Sequence, residues 1–183
     1  MYKKLTIILA LAIIAISTAT AASNPIVGGK EMYPNKNIIE NAVHSADHTT
    51  LVAAVKAAGL VDTLQGAGPF TVFAPTNEAF EKLPAGTVDS LLKVENKPLL
   101  AKVLTYHVVA GRLSGSDLMA KIREGKGTAA LTTVEGGKLW IMLQDGKHIM
   151  LKDEKGGTAL VTIADVVQSN GVIHVIDSVI MPN

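Results

Sequence analysis

An α+β domain, with helices first and a β-meander last, is the fold class the sequence predicts, and three observations predict it. From Asn37 to Gly125 the apolar residues recur at helical spacing. From Thr128 onward the period is two, with Leu139, Ile141 and Leu143 alternating against Trp140, Met142 and Gln144. Asp145-Gly146 and Asn170-Gly171 punctuate that alternation as hairpin turns. Helices grouped ahead of strands, rather than alternating with them, argue against a parallel βαβ sheet.

The elements follow in order. Lys3 and Lys4 precede an uncharged apolar run over residues 5–16, and Ala19-Thr20-Ala21 ends it as a small-residue cleavage pattern. This is the layout of a secretion signal over residues 1–21, cleaved after Ala21 or Ala22. The run falls short of the roughly 20 residues a membrane span needs. Residues 22–36 contain Gly and Pro without periodicity and are expected to form an irregular leader, with Met32 and Tyr33 docking on the domain. The domain itself is expected over 37–183.

Asn37 caps a helix through Ala46 that presents Ile38, Ile39, Ala42 and Val43. Asp47 or Thr49 caps a second helix, with Leu51, Val52, Val55 and Ala58 on one face and Gly59 as its stop. Residues 61–64 read as a helical turn. Residues 70–74 read as a strand ended by Pro75, after which Thr76 or Asn77 caps a short helix. Pro84 starts another through Leu92. Residues 96–108 form the longest helical pattern, carrying Leu99, Leu100, Val103, Leu104 and His107. Ser114 or Ser116 caps the last helix, ended by Gly125. Strands are expected around Leu131, over 139–144, around Ile149 and Leu151, and over 160–167 and 172–180.

Composition narrows the function. Removing Lys3 and Lys4 with the signal leaves 15 basic against 16 acidic residues, so charge makes no case for nucleic acid or an anionic membrane. The chain has no cysteine, which excludes disulfides, thiol catalysis and thiolate metal sites. About 160 residues after the signal suit one domain that stands on packing alone.

Thr71-Val72-Phe73-Ala74-Pro75-Thr76-Asn77, Thr105-Tyr106-His107-Val108-Val109 and Gly171-Val172-Ile173-His174-Val175-Ile176-Asp177 occur in this order. Together they resemble the three signature segments of the fasciclin (FAS1) domain family. The resemblance runs from about Asn37 to Pro182. It is nearest to the single-domain secreted bacterial members, among them mycobacterial secreted antigens, whose leaders also carry a stretch like residues 27–34. It implies a wedge-shaped β-sandwich or barrel-like core with helices on one side. It further implies a secreted or periplasmic, non-enzymatic protein of adhesion, matrix attachment or host association, whose partner is a cell-surface or matrix protein or a glycan. Some relatives bind integrins through the Tyr-His region and its apolar flanks, here Leu104, Val108 and Val109. Others, in photosynthetic organisms, bind carotenoids. The chain has no Arg-Gly-Asp, and Lys126-Gly127-Thr128 is no substitute.

Leu104, Tyr106, His107 and Val108 are therefore the candidate partner-contact residues. Against this stands the reading of Tyr106 and His107 as a buried pair whose polar tips tie the helix to the sheet. The alternative function is carriage of an apolar small molecule, a carotenoid or lipid, in a groove involving Trp140, Met142, Ile141 or Val108. His44, Asp47 and His48 have metal-like spacing only on a continuous helix, which a cap at Asp47 or Thr49 breaks. His174, Asp177 and Ser178 lie along one strand, too spread for a relay, with Asp177 on the opposite face. Gly66-Ala67-Gly68 and Gly156-Gly157 lack the Lys-Ser or Lys-Thr of a phosphate loop and read as turns. No catalytic residue, cofactor or metal is expected.

Overall fold

The computed structural model describes residues 24–183, so the expected secretion signal and its cleavage site lie outside the described residues. The leader is not irregular throughout. Ile26–Val27 (β1) and Lys30–Glu31 (β2) pair as a small antiparallel ribbon that turns at Gly28 and Gly29, both at positive φ. Burial holds the ribbon: Val27 and Met32 join the hydrophobic core beneath the helices. Ala46 also donates its N–H to the Gly28 carbonyl. Tyr33 stays largely exposed, with the Lys36 ammonium 5.1 Å from its ring centroid.

Asn37 caps α1 (Ile38–Ala42) in a capping box with Glu40. The helix stops short of the expected Ala46. His44 and Ser45 donate to carbonyls three residues back and tighten the turn, which leaves Val43 exposed. A 3-10 turn over Ala46–His48 leads into α2 (Thr49–Ala58), which Gly59 closes in the left-handed conformation. Neither Asp47 nor Thr49 caps α2. Asn77 does so from the next domain segment: its Oδ1 accepts from Thr50 N–H at 3.0 Å and from the Thr49 hydroxyl, and its Nδ2 donates to the Ala46 carbonyl at 2.9 Å. Asn77→Ala is expected to destabilise the chain by about 1–2 kcal/mol, since it removes the cap of α2 and the tie to the Ala46 carbonyl. Urea unfolding measures this, and an unchanged midpoint would mean that α2 is capped locally.

Next come α3 (Val61–Gln65), β3 (Phe70–Pro75), α4 (Asn77–Glu81, capped by Thr76) and α5 (Thr87–Leu91). Helix α6 (Lys97–Tyr106) ends two residues before the expected Val108. Val108 instead opens β4 (Val108–Ala110), paired with Val72 of β3. Leu99, expected on the buried face, is exposed. Ser114 caps α7 (Gly115–Glu124) in a second capping box, with Asp117. The meander is β5 (Thr128–Thr132), β6 (Lys138–Gln144), β7 (His148–Lys152), β8 (Thr158–Gln168) and β9 (Gly171–Ile176).

These strands form one seven-stranded sheet in the order β4-β3-β9-β8-β7-β6-β5. Only β3 and β9 run parallel. The two edges meet: Val109 bridges Thr133, and Val134 donates to the Val108 carbonyl at 2.7 Å. The sheet thus curls into a partly closed barrel. Curvature comes from β8, whose register slips twice and whose Asp165 has positive φ. The sheet separates two cores, because alternate residues of β3 and β9 face opposite ways. Val72, Ala74, Ile173 and Val175 face the core under α1, α2 and α6. Phe73 and Ile176 face the barrel interior, which Leu118 and Ile122 of α7 plug. The α+β class, with helices packed on a meander, is the fold observed.

The Asp145-Gly146 turn holds both residues at positive φ, as a tight hairpin requires. The second turn is shifted by one residue. Gln168 pairs with Gly171, so Ser169 and Asn170 form the loop and Gly171 already belongs to β9. A Cβ on Gly171 would sit 2.2 Å from the Phe70 carbonyl oxygen, which explains the glycine. Asn170 is fastened to the helices by its side chain, which accepts from Ile38 N–H and donates to the Leu64 and Gly66 carbonyls.

Candidate functional site

Tyr106 and His107 close α6 where it crosses from one core to the other. Tyr106 is 0% exposed. Its hydroxyl donates to the Lys138 carbonyl at 2.6 Å and accepts from Glu154 N–H at 3.2 Å, tying α6 to β6 and to the turn after β7. Burial is the main cause that pushes its pKa up to about 12. His107 is 2% exposed. Its Nδ1–H donates to the Val103 carbonyl at 2.8 Å, and its Nε2 accepts from Ile180 N–H at 3.2 Å. Both nitrogens are used and the ring is neutral, since burial lowers its pKa to about 4. The pair offers no polar atom to a partner outside the fold.

Leu104 and Val108 are buried as well, but they reach the surface indirectly. They floor a shallow apolar groove completed by Leu60, Phe70, Thr105 and Val134. Val134, 46% exposed, forms its rim. Val134 carried no periodic signal in the sequence. It reaches the groove only because the sheet closes edge to edge beside Val108.

A larger apolar cavity lies between the leader ribbon, α1, α2 and the sheet, with about 770 Å³ of space among its lining atoms, mouth included. The enclosed part of it is small, about 50 Å³. Leu104, His107 and Val108 contribute to its wall, so three of the four expected contact residues face it. Its mouth is marked by the residues that reach solvent: Ala42, Val52, Lys56 and Val61. His48 lies inside, 3% exposed, with Nδ1 2.8 Å from the Ser45 hydroxyl. Its Nε2 has no hydrogen-bond partner among the described residues. Burial lowers the His48 pKa, opposed by the nearby Ala74 carbonyl and by Asp47; the carbonyl makes no well-formed hydrogen bond to Nε2.

The remaining sequence candidates resolve into structure. His174 is wholly buried: its Nε2–H donates to the Leu113 carbonyl at 2.8 Å, its Nδ1 accepts from Asp165 N–H, and its ring stacks on Phe73. Asp177 accepts from Leu160 N–H and pairs with Lys82. His44, Asp47 and His48 span the turn between α1 and α2, not one helix. Among the described residues, no group of three or more His, Cys, Asp or Glu is placed to hold a metal ion. Ile141 is in the barrel core, while Trp140 and Met142 lie half-buried on the outer face of β6, away from the cavity. No described helix is long and apolar enough to cross a membrane.

Comparison with known proteins agrees with this architecture. Protein sll1483 of Synechocystis is 50% identical over 145 residues, covering 79% of this chain and 73% of that protein. Two relatives come from Mycobacterium bovis. Immunogenic protein MPB70 is 38% identical over 77% of this chain and 66% of its own length, and Cell surface glycolipoprotein MPB83 is 42% identical over 67% and 48%. In fold, the chain is similar to the solved FAS1 domain pair of the insect cell adhesion molecule Fasciclin I. That match has a TM-score of 0.69 at 20% identity and covers 79% of this chain and 50% of that one. The Fasciclin domain model matches residues 46–182, and the chain belongs to the fasciclin (FAS1) domain family.

Proposed function

We propose that this chain is an exported, non-enzymatic interaction domain that attaches to a cell-surface or matrix partner. The observation that carries the reading is the apolar groove rimmed by Val134 and floored by Leu104 and Val108. An exposed apolar rim over a shallow apolar groove suits a small aliphatic contact from a protein partner better than a glycan. Relatives named a cell surface glycolipoprotein and a cell adhesion molecule support the class of function, and the Lys3-Lys4 start with its apolar run supports export. Val134→Lys is expected to abolish attachment to cells of the chain's own source, or weaken it at least tenfold, with an unchanged melting temperature. Attachment at the original strength would remove the groove from the interface. The mass of the protein recovered from outside the cytoplasm checks export, with a start at Ala22 or Ser23 expected.

A second reading, carriage of an apolar small molecule, is supported by the cavity lined by His48, Leu51 and Ile173 rather than by the outer face of β6. Solvent extraction of protein purified from its source tests it: an apolar molecule in stoichiometric yield is expected of a carrier.

A further inference from the structure

We propose that the cavity between α1, α2 and the sheet binds a neutral, slender aliphatic alcohol, with its hydroxyl hydrogen-bonded to His48 Nε2 and its chain against Leu51, Val55, Val72 and Ile173. The proposal rests on the carrier reading and names its ligand class.

Elimination among the polar lining groups identifies the anchor. The Ser45 hydroxyl is engaged with His48 Nδ1, and both nitrogens of His107 are engaged with backbone. Lys56 is exposed at the mouth, two turns along α2 from His48. That leaves His48 Nε2 as the one interior polar atom of the lining side chains without a well-formed hydrogen bond among the described residues, the nearby Ala74 carbonyl compensating it only in part. A buried nitrogen of this kind is costly until something pairs with it.

The chemistry of the partner follows. Burial keeps the imidazole neutral, so it offers no charge to balance a carboxylate, and an ionised group so deep would lose its hydration uncompensated. A fatty carboxylate would instead stop at Lys56 and leave Nε2 unpaired. A hydroxyl both donates and accepts, so it pairs with either tautomer of the ring. The small enclosed volume favours an unbranched chain over a ring system.

The test uses the full mature chain after delipidation, titrated with 1-octanol and separately with octanoate. Calorimetry reads the affinity, and the ¹⁵N resonances of the histidine rings read the contact. Octanol is expected to bind, to shift His48 Nε2 selectively, and to outcompete octanoate about tenfold. His48→Leu should lose about tenfold in octanol affinity, and His48→Gln, which retains a side-chain N–H and a carbonyl, should recover most of it. Should His48→Leu fail to fold, the Nε2 shift in the unaltered chain decides. Equal octanol affinity in folded His48→Leu, or octanoate binding as tightly as octanol, would overturn the hydroxyl anchor and leave the carrier reading standing. No binding of either probe, with Nε2 bridged by water only, would overturn the alcohol site, and the carrier reading would then be decided by the solvent extraction alone.

Discussion

Tyr106→Ala is expected to cost about 4 kcal/mol of folding stability, a large share of the roughly 5–15 kcal/mol a domain of this size possesses. Two losses combine. The ring sits wholly in the barrel core, and the backbone is packed against it so closely that a Cβ on Gly137 would lie 2.9 Å from Tyr106 Cε2. Removing the ring opens a cavity that surrounding strands cannot fill without breaking their pairing. The hydroxyl also satisfies the Lys138 carbonyl and Glu154 N–H, and both partly buried groups lose that partner. Tyr106→Phe separates the two terms: it retains the ring and is expected to cost about 1–3 kcal/mol through the hydrogen bonds alone. Urea denaturation of both variants makes the comparison. A loss below about 1 kcal/mol for Tyr106→Ala would show that the ring is not the anchor its burial implies. Attachment of folded Tyr106→Phe to cells should be unaltered, because the hydroxyl points into the fold.

The contrast between Tyr106 and Asn77 shows what the sequence could convey. Helical spacing, the Ser114 and Asn37 caps and the period of two in the meander are local signals. They placed nearly every element and the α+β class, since each depends on residues a few positions apart. Caps made across the fold were not legible. Asn77 looked like a cap for its own helix, yet it holds the start of α2, and no local pattern encodes that distance. Helix α6 illustrates a second limit. Its apolar spacing continues to Val108, but sheet pairing with Val72 takes that residue into a strand, so tertiary context overrides the periodic signal. The candidate site divides the same way. Tyr106 and His107 were visible as a polar pair on an apolar helix, whereas the groove needs Val134 and the cavity needs Met32 and His48, which only closure of the sheet and docking of the leader bring into place. Four polar members of the three signature segments share one role here: Thr71, Asn77, His107 and His174 each join a strand or helix to a distant backbone group, whereas Thr76 and Thr105 bond within their own helices.

Stability is expected to fall by about 3 kcal/mol as pH drops from 6.5 to 4, and His107 is the main cause. Its folded pKa is about 4, against 6.5 for the exposed group. Above pH 6.5 the ring is neutral in both states and its contribution is complete. As pH falls below 6.5, the unfolded chain takes up a proton that the folded chain refuses until about 4, so acid favours unfolding across that window. Refusal has a structural reason: protonating Nε2 would place a second N–H of the buried ring against Ile180 N–H. His48 and His174 are shifted in the same direction by burial, so they steepen the fall. The carboxylates with lowered pKa, Asp117, Glu154 and Asp177, act below their unfolded values near 4 and so leave the upper part of the window to the histidines. Urea unfolding at half-unit steps from pH 7.5 to 4.5 measures the slope. His107→Gln should be less stable at pH 7 but lose less on acidification. A flat profile between pH 7 and 5 in the unaltered chain would require a protonated His107 in the folded state, and the acceptor role of its Nε2 toward Ile180 would then be wrong.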